Sequence, residues 1–360
     1  MAAITLDVLD RQAAALEPDL ARLAATVPGA LATELPASAC RGVQEVVMTG
    51  NGDSLHACLA ATLAFGNRAA PLRCTALGAL PFTLYHAPAN TDPTPVPSRL
   101  LIAVSASGRT PQVLDALTRA RAAGMPTMAI TGTAGSPLAQ AAHHRLVVPL
   151  PDSERSPGVR TFQASLVALT LTAMHLAEQI HLPGQRPEPA RAGAAEVAAL
   201  TGAVGAAAHQ ASTRGRAAAE LIASAPTAMI LGTGPGYGVA RFTAAKLAEI
   251  AGVPAAAVDI EEWQHVEYHT HPIDMPTVVV APPGRALGAA QGAAAAAVKQ
   301  GRRLVWIGNP DHAPPQAHAV IAVHATCPEE LTPIPYSACA GPLARHVASI
   351  LRRLPFLNRT

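Results

Sequence analysis

The chain of 360 residues has little charge and few aromatic residues, which make up 14% and 3% of it. Its 26 basic and 24 acidic residues nearly balance, and no block of Lys or Arg is interleaved with aromatic residues. The electrostatic footprint of a nucleic-acid-binding protein is therefore missing, and we expect neither DNA nor RNA as a partner. The five cysteines are scattered without a CxxC spacing, which argues against a zinc or redox centre and favours buried, reduced thiols.

Long apolar runs are also missing from the sequence. No stretch reaches the roughly 18 consecutive apolar residues of a membrane-spanning helix. The opening MAAITLDVLDRQ carries acidic residues in place of the basic start of a signal peptide. We therefore expect a cytoplasmic protein with no membrane partner. The hydrophobic half of the composition is mostly Ala, Val and Leu, which suits two closely packed α/β domains and excludes a disordered chain.

An alternation of apolar runs, glycines and Ala-rich helical stretches occurs twice, which is typical of βαβ units in a parallel sheet. In the first half EVVMTG (45–50) leads into GNGDS and a helix, and in the second half TAMILG (227–232) leads into GTGPGYG and a helix. The pattern predicts an α/β fold of two tandem αβα units, each with a five-stranded parallel sheet of the flavodoxin or Rossmann type. The predicted divisions are an N-terminal helical segment at 1–40, a first domain at 41–182, a linker at 183–193 and a second domain at 194–360.

Two loops that carry hydroxyl groups and glycine follow predicted strands in the first half. In GNGDS (50–54) a strand that runs into a helix directs backbone N–H groups toward an anion. In SASGRT (105–110) three hydroxyl groups surround a glycine that lets a ligand approach the backbone. Ligands of doubly wound sheets bind at the carboxyl ends of the strands, so we expect both loops to contact a phosphate group there. The alternative is that SxSGxT is an N-cap followed by a turn.

The two motifs together, GNGDS after one strand and about fifty residues later SxSGxT after another, resemble the sugar isomerase (SIS) domain. This domain is the phosphosugar-binding module of glucosamine-6-phosphate synthase and its relatives. The resemblance implies two SIS-like units, a phosphorylated sugar or amino sugar as ligand, no cofactor, and a homodimer with active sites at the subunit interface. It assigns the sugar phosphate to four hydroxyl residues, Ser54, Ser105, Ser107 and Thr110. Further candidate substrate contacts are Gly52, Asp53, Ala106, Gly108, Arg160 and Glu262.

Arg160 belongs to a further segment of this resemblance, PGVRTFQASL at 157–166. Family members often open their long helix here with Ser-Thr-Lys or Ser-x-Arg. In this chain Gly158 replaces the Ser, whereas Arg160 keeps the positive charge. We therefore expect an altered set of substrate contacts at this position, with the phosphate-binding loops unaffected.

A lysine and a glutamate stand three residues apart on the predicted helix of the second half. Lys246 is one of only two lysines in the chain, and it shares a helix face with Glu249, so an ammonium can hold a carboxylate ionised and oriented there. One alternative is an ordinary surface ion pair. Another is that GTGPGYG is the glycine-rich turn of a dinucleotide-binding site, with Asp259 after the next strand as the ribose-binding acid.

The resemblance favours a catalytic interpretation of this helix. The isomerase domain of the synthase has Lys-x-x-Glu here and a His sixteen residues after the Glu, which corresponds to His265. It implies that Glu249 is the base that moves a proton between C1 and C2, Lys246 its charge partner, and His265 the residue that assists ring opening. Glu262 lies three residues before His265 and is a candidate second carboxylate near the sugar.

The stretch after His265 departs from the family. Family members often read His-Gly-Pro, whereas Val266 and Glu267 follow the histidine here, which predicts a reshaped loop. The closely spaced His265, His269 and His271 offer a metal site as an alternative, but no fourth ligand is evident and we expect no metal.

We therefore expect a phosphosugar isomerase-type enzyme with Glu249 as base. Its reaction would be aldose–ketose isomerisation, or deamination or deglycation of an amino-sugar phosphate through an enediol or enamine. Residue 2 is Ala where the synthase has the cysteine nucleophile of its glutaminase, so we expect no glutaminase activity. The ending LRRLPFLNRT has no lysine to form an imine with a ketose, which a guanidinium cannot form. The alternative function is a non-catalytic phosphosugar-binding sensor or regulator.

Overall fold

The computed structural model describes residues 3–87, 98–180 and 190–359. Most of the predicted linker at 183–193 lies outside these ranges. Within them, no helix combines the length and the hydropathy needed to cross a membrane. The chain divides into two compact units, and both collect separate chain segments, whereas the predicted domains are continuous. The N-terminal sheet unit comprises Asp19–Asp152 and Thr161–Ala199, and the C-terminal sheet unit comprises Met1–Pro18, Ser153–Arg160 and Leu200–Thr360.

Most of the secondary structure is helical. The helices in chain order are α1 (Leu6–Glu34), α2 (Ala37–Cys40), α3 (Asp53–Arg68), α4 (Ala79–Pro81), α5 (Pro111–Ala122), α6 (Pro137–Ala141), α7 (Val159–Gln179), α8 (Ala190–Ala198), α9 (Thr201–Arg214), α10 (Arg216–Ala223), α11 (Pro235–Ala251), α12 (Ile260–His265), α13 (Leu287–Gln300), α14 (Pro333–Ser337) and α15 (Ala340–Leu351). Shorter helical turns are a π-helix at Phe82–His86 and 3-10 helices at Glu267–His269, Pro310–His312 and Glu329–Leu331.

The N-terminal sheet unit is built on a five-stranded sheet in which every pair of neighbouring strands is parallel. Its strands are β1 (Glu45–Gly50), β2 (Arg73–Gly78), β3 (Arg99–Val104), β4 (Thr127–Thr131) and β5 (His144–Val147). Their order is β2-β1-β3-β4-β5. The central strands are buried on both faces, which explains their nearly continuous apolar sequences. Because the order reverses between β1 and β3, the loops after these two strands flank the point where doubly wound sheets bind ligands.

The C-terminal sheet unit repeats this architecture. Its parallel strands are β6 (Ala228–Gly232), β7 (Ala255–Asp259), β8 (Pro276–Ala281), β9 (Arg303–Gly308) and β10 (Ala319–Ala322), in the order β10-β9-β8-β6-β7. A two-stranded antiparallel hairpin, β11 (Arg353–Leu354) and β12 (Asn358–Arg359), ends the described chain. The predicted α/β fold with two five-stranded parallel sheets is confirmed.

The composition explains how these layers pack. In the C-terminal sheet unit, Trp263 and Trp306 are fully buried, and the helix α13 meets this core with alanines at the helical spacing 290, 293, 294 and 297. Small side chains let the helix approach the sheet closely, and the two large indoles fill the remaining volume. Many alanines and a few large aromatic side chains therefore fill this core together.

Candidate functional site

The GNGDS loop joins β1 to α3 through a turn that requires glycine. Gly52 is the N-cap of α3 and has a φ of 53°, in the left-handed region that glycine adopts without steric cost. A Cβ on Gly50 would lie 2.8 Å from Ser54 Cβ, so only glycine lets the first turn of α3 approach the end of β1 this closely. The half-buried Ser54 thus lies in the first turn of α3, where backbone N–H groups have no partner within the helix.

The SASGRT loop is a compact turn in which two of the three hydroxyl groups meet. Ser105 Oγ lies 3.0 Å from Thr110 Oγ1 and accepts the backbone N–H of Gly108 at 3.1 Å. Ser105 is buried, whereas Ser107 is exposed and accepts the N–H of Arg109 at 3.3 Å. Of the predicted phosphate ligands in this loop, the structure therefore brings Ser105 and Thr110 together inside the turn, whereas Ser107 lies on its surface.

The SASGRT loop is fixed from behind by the loop that follows β4. The N–H of Gly132 donates to the carbonyl oxygen of Ala106 at 2.9 Å. Gly108 has a φ of 63°, and a Cβ there would lie 2.2 Å from Ser136 Oγ. Ala106 and Gly108 therefore serve the loop through their backbone, and a side chain at position 108 has no room.

The two loops follow neighbouring strands of one sheet. Thr49 in β1 is in register with Ala103 in β3, so GNGDS and SASGRT leave the same edge of the sheet at its switch point. The alternative interpretation of SxSGxT as an N-cap accounts for part of the geometry, because Thr110 is the N-cap residue of α5. Its side chain makes no capping hydrogen bond, however, and its hydroxyl group lies against Ser105 instead.

Two of the other candidate substrate contacts have local structural partners. Asp53, in the first turn of α3, has its Oδ1 3.9 Å from His56 Nδ1. Arg160 lies in the first turn of α7, is buried, and donates its backbone N–H to Gln12 Oε1 at 3.4 Å. Arg160 belongs to the C-terminal sheet unit, whereas the GNGDS and SASGRT loops belong to the N-terminal sheet unit.

Lys246 and Glu249 form a close pair in the last two turns of α11. Lys246 is fully buried, and its Nζ lies 2.5 Å from Glu249 Oε2 and 5.2 Å from the centre of the Phe242 ring. The side chain of Glu249 is 33% exposed, so the carboxylate is held by a buried cation on one side and reaches solvent on the other. An ordinary surface ion pair, the alternative weighed from the sequence, does not bury its lysine completely.

A second contact on Glu249 comes from the end of the chain and was not predicted. The backbone N–H of Phe356, in the turn between β11 and β12, donates to the carbonyl oxygen of Glu249 at 2.7 Å. Arg353 Nη1 donates to the carbonyl oxygens of Ala251 and Gly252 at 2.9 and 3.1 Å. The hairpin thus binds carbonyl groups that the C-terminal end of a helix leaves without an internal partner. It fixes the backbone that carries Glu249.

His265 follows Glu249 by sixteen residues in the sequence, with β7 between them. Glu249 precedes the start of β7, and His265 ends α12, which follows the carboxyl end of β7, so the strand separates the two residues. No hydrogen bond or ion pair joins them in the described residues. The side chain of His265 is 68% exposed, and its Nε2 lies 3.1 Å from Oε1 of Glu261, which is 71% exposed. The exposed Glu262, the predicted second carboxylate, is on the same short helix.

The residues on which the dinucleotide and metal alternatives rest can be placed in the described chain. Asp259, proposed for a ribose contact, is the N-cap of α12, and its Oδ1 accepts the N–H of Glu261 at 3.0 Å. Within the described ranges, no three His, Cys, Asp or Glu side chains lie close enough to hold a metal ion. The loop after His265 is held by Arg302, a residue that the sequence did not single out.

Comparison with known families finds a match in the first half of the chain. Residues 41–175 match the family model of the SIS domain. This segment contains the GNGDS and SASGRT loops, and its match to the SIS domain confirms the predicted resemblance.

A named relative also matches part of the chain. The glutamine–fructose-6-phosphate aminotransferase (isomerizing) of Acidithiobacillus ferridurans is 33% identical over 199 residues, which are 54% of this chain and 32% of that protein. The match therefore spans only about a third of the relative's length.

Solved structures extend the likeness in fold to nearly the whole chain. The C-terminal domain of glucosamine-fructose-6-phosphate aminotransferase from Francisella tularensis has a TM-score of 0.82 at 18% identity, covering 97% of this chain and 98% of that one. A glucosamine-6-phosphate deaminase from Thermotoga maritima has a TM-score of 0.66 at 16% identity, covering 96% and 98%. At these identities the likeness shows the fold shared with these proteins.

Proposed function

We propose that this chain is a phosphosugar isomerase-type enzyme in which Glu249 moves a proton between C1 and C2 of a sugar phosphate or amino-sugar phosphate. The observation that carries the proposal is the Lys246–Glu249 pair. The lysine is fully buried at 2.5 Å from a carboxylate that remains one-third exposed. A base for this reaction must be held in place and still be reachable by a substrate.

The ligand class is inferred from the N-terminal sheet unit. The SASGRT and GNGDS loops place hydroxyl groups and a helix N-terminus at the switch point of the sheet, an arrangement that suits a phosphate group. The names of these similar proteins support this class, because they refer to fructose-6-phosphate and glucosamine-6-phosphate. We assign the phosphate to Ser54, Ser105, Ser107 and Thr110, with Gly52, Gly108 and the backbone of Ala106 shaping the loops.

The proposed step balances without an external reactant. Glu249 takes the proton from C2 of an open-chain aldose, and the electron pair of that C–H bond forms the C1–C2 double bond of an enediol as the C1 oxygen takes up a proton. The base then returns its proton to C1 while the C2 oxygen releases one, which leaves the ketose. An amino sugar follows the same path through an enamine, and hydrolysis of the imine at C2 would release ammonia.

His265 is assigned to ring opening, where it transfers a proton to the ring oxygen as the anomeric hydroxyl group loses one. β7 separates His265 from Glu249 within one chain, and the histidine is 68% exposed. Both observations favour a homodimer in which His265 of one copy serves the site of the other.

The test is product formation on a panel of sugar phosphates, followed by NMR. The panel contains glucose-6-phosphate, fructose-6-phosphate, glucosamine-6-phosphate and a fructosamine-6-phosphate adduct. We expect interconversion or ammonia release with at least one of them, lost in Glu249→Gln and kept in Glu220→Gln, which changes a carboxylate of an exposed pair on α10. Binding without turnover across the panel contradicts the enzyme and favours a phosphosugar sensor.

A further inference from the structure

One buried arginine holds the segment that follows His265, residues 266–272, which we call the 266–272 loop. Arg302 is fully buried. Its Nη2 donates to the carbonyl oxygens of Glu267, Thr270 and Tyr268 at 3.0, 3.0 and 3.2 Å, and its Nη1 donates to that of Pro272 at 3.0 Å. A single guanidinium thus gathers four carbonyl groups from a loop of seven residues.

The charge of Arg302 makes this arrangement hard to replace. Within the described part of the chain, no carboxylate lies within ion-pair distance of the guanidinium. Burial lowers its pKa from the ordinary value, because the charged form loses water there. The carbonyl dipoles of the loop and the negative charge of the nearby Asp274 therefore compensate for the buried cation. The arginine needs the loop in this conformation, and four carbonyl groups of the loop lose their hydrogen-bond donor if the arginine is removed.

Arg302 and the four carbonyl groups that it binds form what we call the Arg302 clamp. Arg302 itself is held in place by the regular structure next to it. Gly301 ends α13 in the left-handed conformation, with a φ of 91°, and the N–H of Arg302 then donates to the carbonyl oxygen of Ala297 at 2.9 Å. Gln300 Oε1 accepts from Arg302 Nε at 3.1 Å, and the amide group of Gln300 donates to the carbonyl oxygen of Tyr268. The guanidinium is therefore oriented by the end of α13 and the start of β9.

A chain of backbone hydrogen bonds links the clamped carbonyl groups to the helix that carries His265. The backbone N–H groups of Thr270, His269 and Val266 donate to backbone carbonyl oxygens at 3.0 to 3.2 Å. The acceptors are, in the same order, Glu267, Val266 and Glu262, the last of which lies in α12. In contrast, the described residues give the His265 side chain one hydrogen-bond partner, the exposed Glu261. The backbone of His265 is therefore held on one side by the packing of α12, through the buried Trp263, and on the other side by the 266–272 loop.

We propose that Arg302 is a positioning residue for His265, and that it acts by holding the 266–272 loop in one conformation. The clamp stands on the geometry above, whereas its consequence for the reaction rests on the proposed function through the role of His265. The loop is the stretch in which the chain departs from the His-Gly-Pro of its family. Arg302 explains how a different sequence is kept in a fixed conformation there.

The experiment combines amide hydrogen exchange with kinetics on Arg302→Gln and Arg302→Lys. We expect the amides of Val266, His269 and Thr270 to exchange faster in both variants, because lysine keeps the charge but cannot reach four carbonyl groups. We expect turnover to fall roughly 10- to 100-fold, the size of effect produced by a small misplacement of a catalytic group. In a His265→Asn background, the same Arg302 substitutions should cause no further loss of turnover.

Two controls keep the outcomes separate. Arg303→Gln removes the neighbouring guanidinium, which donates to the carbonyl oxygen of Asp274 outside the loop, and should leave the loop exchange unchanged. Gln300→Leu is a milder variant if Arg302→Gln does not fold, and should raise exchange at the loop by a smaller factor. Unchanged exchange in the loop overturns the proposal at any level of activity. If loop exchange is faster but the Arg302 substitutions reduce turnover just as much in the His265→Asn background, the positioning role is overturned. Activity retained in Glu249→Gln overturns the proposed function instead.

Discussion

Lys246 Nζ lies 2.5 Å from Glu249 Oε2, although the lysine is completely buried and the glutamate is 33% exposed. This asymmetry predicts that the two substitutions differ in their effect on stability. Glu249→Gln removes the carboxylate that binds a buried ammonium, and we expect the free energy of unfolding to fall by about 2 kcal/mol, less than for a fully buried pair because Glu249 is partly solvated. Lys246→Met should cost less, since the carboxylate can turn to water. Urea unfolding measures both.

The exposed Arg216–Glu220 pair provides the control for this comparison. Its side chains are 70% and 54% exposed, and Glu220→Gln should change the free energy of unfolding by less than about 0.5 kcal/mol. Equal stability of Glu249→Gln and the wild-type protein would contradict the assignment of a buried, carboxylate-bound lysine.

Gly108→Ala tests the close packing behind the SASGRT loop. A Cβ would lie 2.2 Å from Ser136 Oγ at a φ of 63°, and both the contact and the backbone conformation disfavour a side chain. We expect a loss of about 2 to 4 kcal/mol in unfolding free energy and weaker binding of sugar phosphates. Gly135→Ala, in the neighbouring loop, meets no atom within 4 Å and should be nearly neutral. A stable Gly108→Ala protein with unchanged ligand affinity would refute this packing.

Ser107→Ala separates ligand binding from stability. Ser107 is exposed, so its removal should leave the free energy of unfolding almost unchanged. Its hydroxyl group is assigned to the phosphate, and we expect the Kd for a sugar phosphate to rise roughly 10-fold, the cost of one hydrogen bond to a charged group. Calorimetry with the sugar phosphates of the panel measures the change. Thr118→Val on the exposed face of α5 is the control, and an equal effect of the two substitutions would remove Ser107 from the site.

The local features of this fold could be predicted from the sequence, because they depend on neighbours in the chain. The two sheets follow from repeated apolar runs ending in glycine, and the Lys246–Glu249 contact follows from a spacing of three residues on a helix. The Arg302 clamp and the bond from Phe356 to Glu249 could not be predicted in this way. They join residues about 30 and about 100 positions apart, and nothing in the local pattern of either partner indicates the other.

The family resemblance likewise indicated candidate residues but not the tertiary contacts around them. Ala106 and Gly108 could be placed in the loop from SASGRT alone, but the need for glycine at 108 arises from Ser136, which approaches only when β4 and its following loop are in place. His265 was predicted from its interval to Glu249, and the strand between them from its apolar run, but the exposure of the His265 side chain depends on the tertiary structure.

Alkaline pH should weaken the fold through buried thiols. Burial raises the pKa of Cys40 and Cys327 to about 11 from 9.0. The folded chain keeps these protons where the unfolded chain loses them, so the stabilisation is complete below pH 9 and is lost as the pH rises from about 9 to about 11. Each thiol should contribute roughly 1 to 2 kcal/mol of this loss by pH 10.5. Urea unfolding at pH 8 and 10.5 should show a smaller decrease for Cys40→Ala than for the wild-type chain, and an identical decrease would contradict this origin.

The central claim is that Glu249 exchanges a substrate proton, and deuterium exchange in heavy water tests it most directly. Proton NMR follows the C2 proton of aldose phosphates and the C1 protons of ketose phosphates, with ligand binding measured on the same samples. We predict enzyme-dependent exchange with at least one sugar phosphate, and its loss in Glu249→Gln while binding persists. Exchange that continues at the wild-type rate in Glu249→Gln would contradict the account.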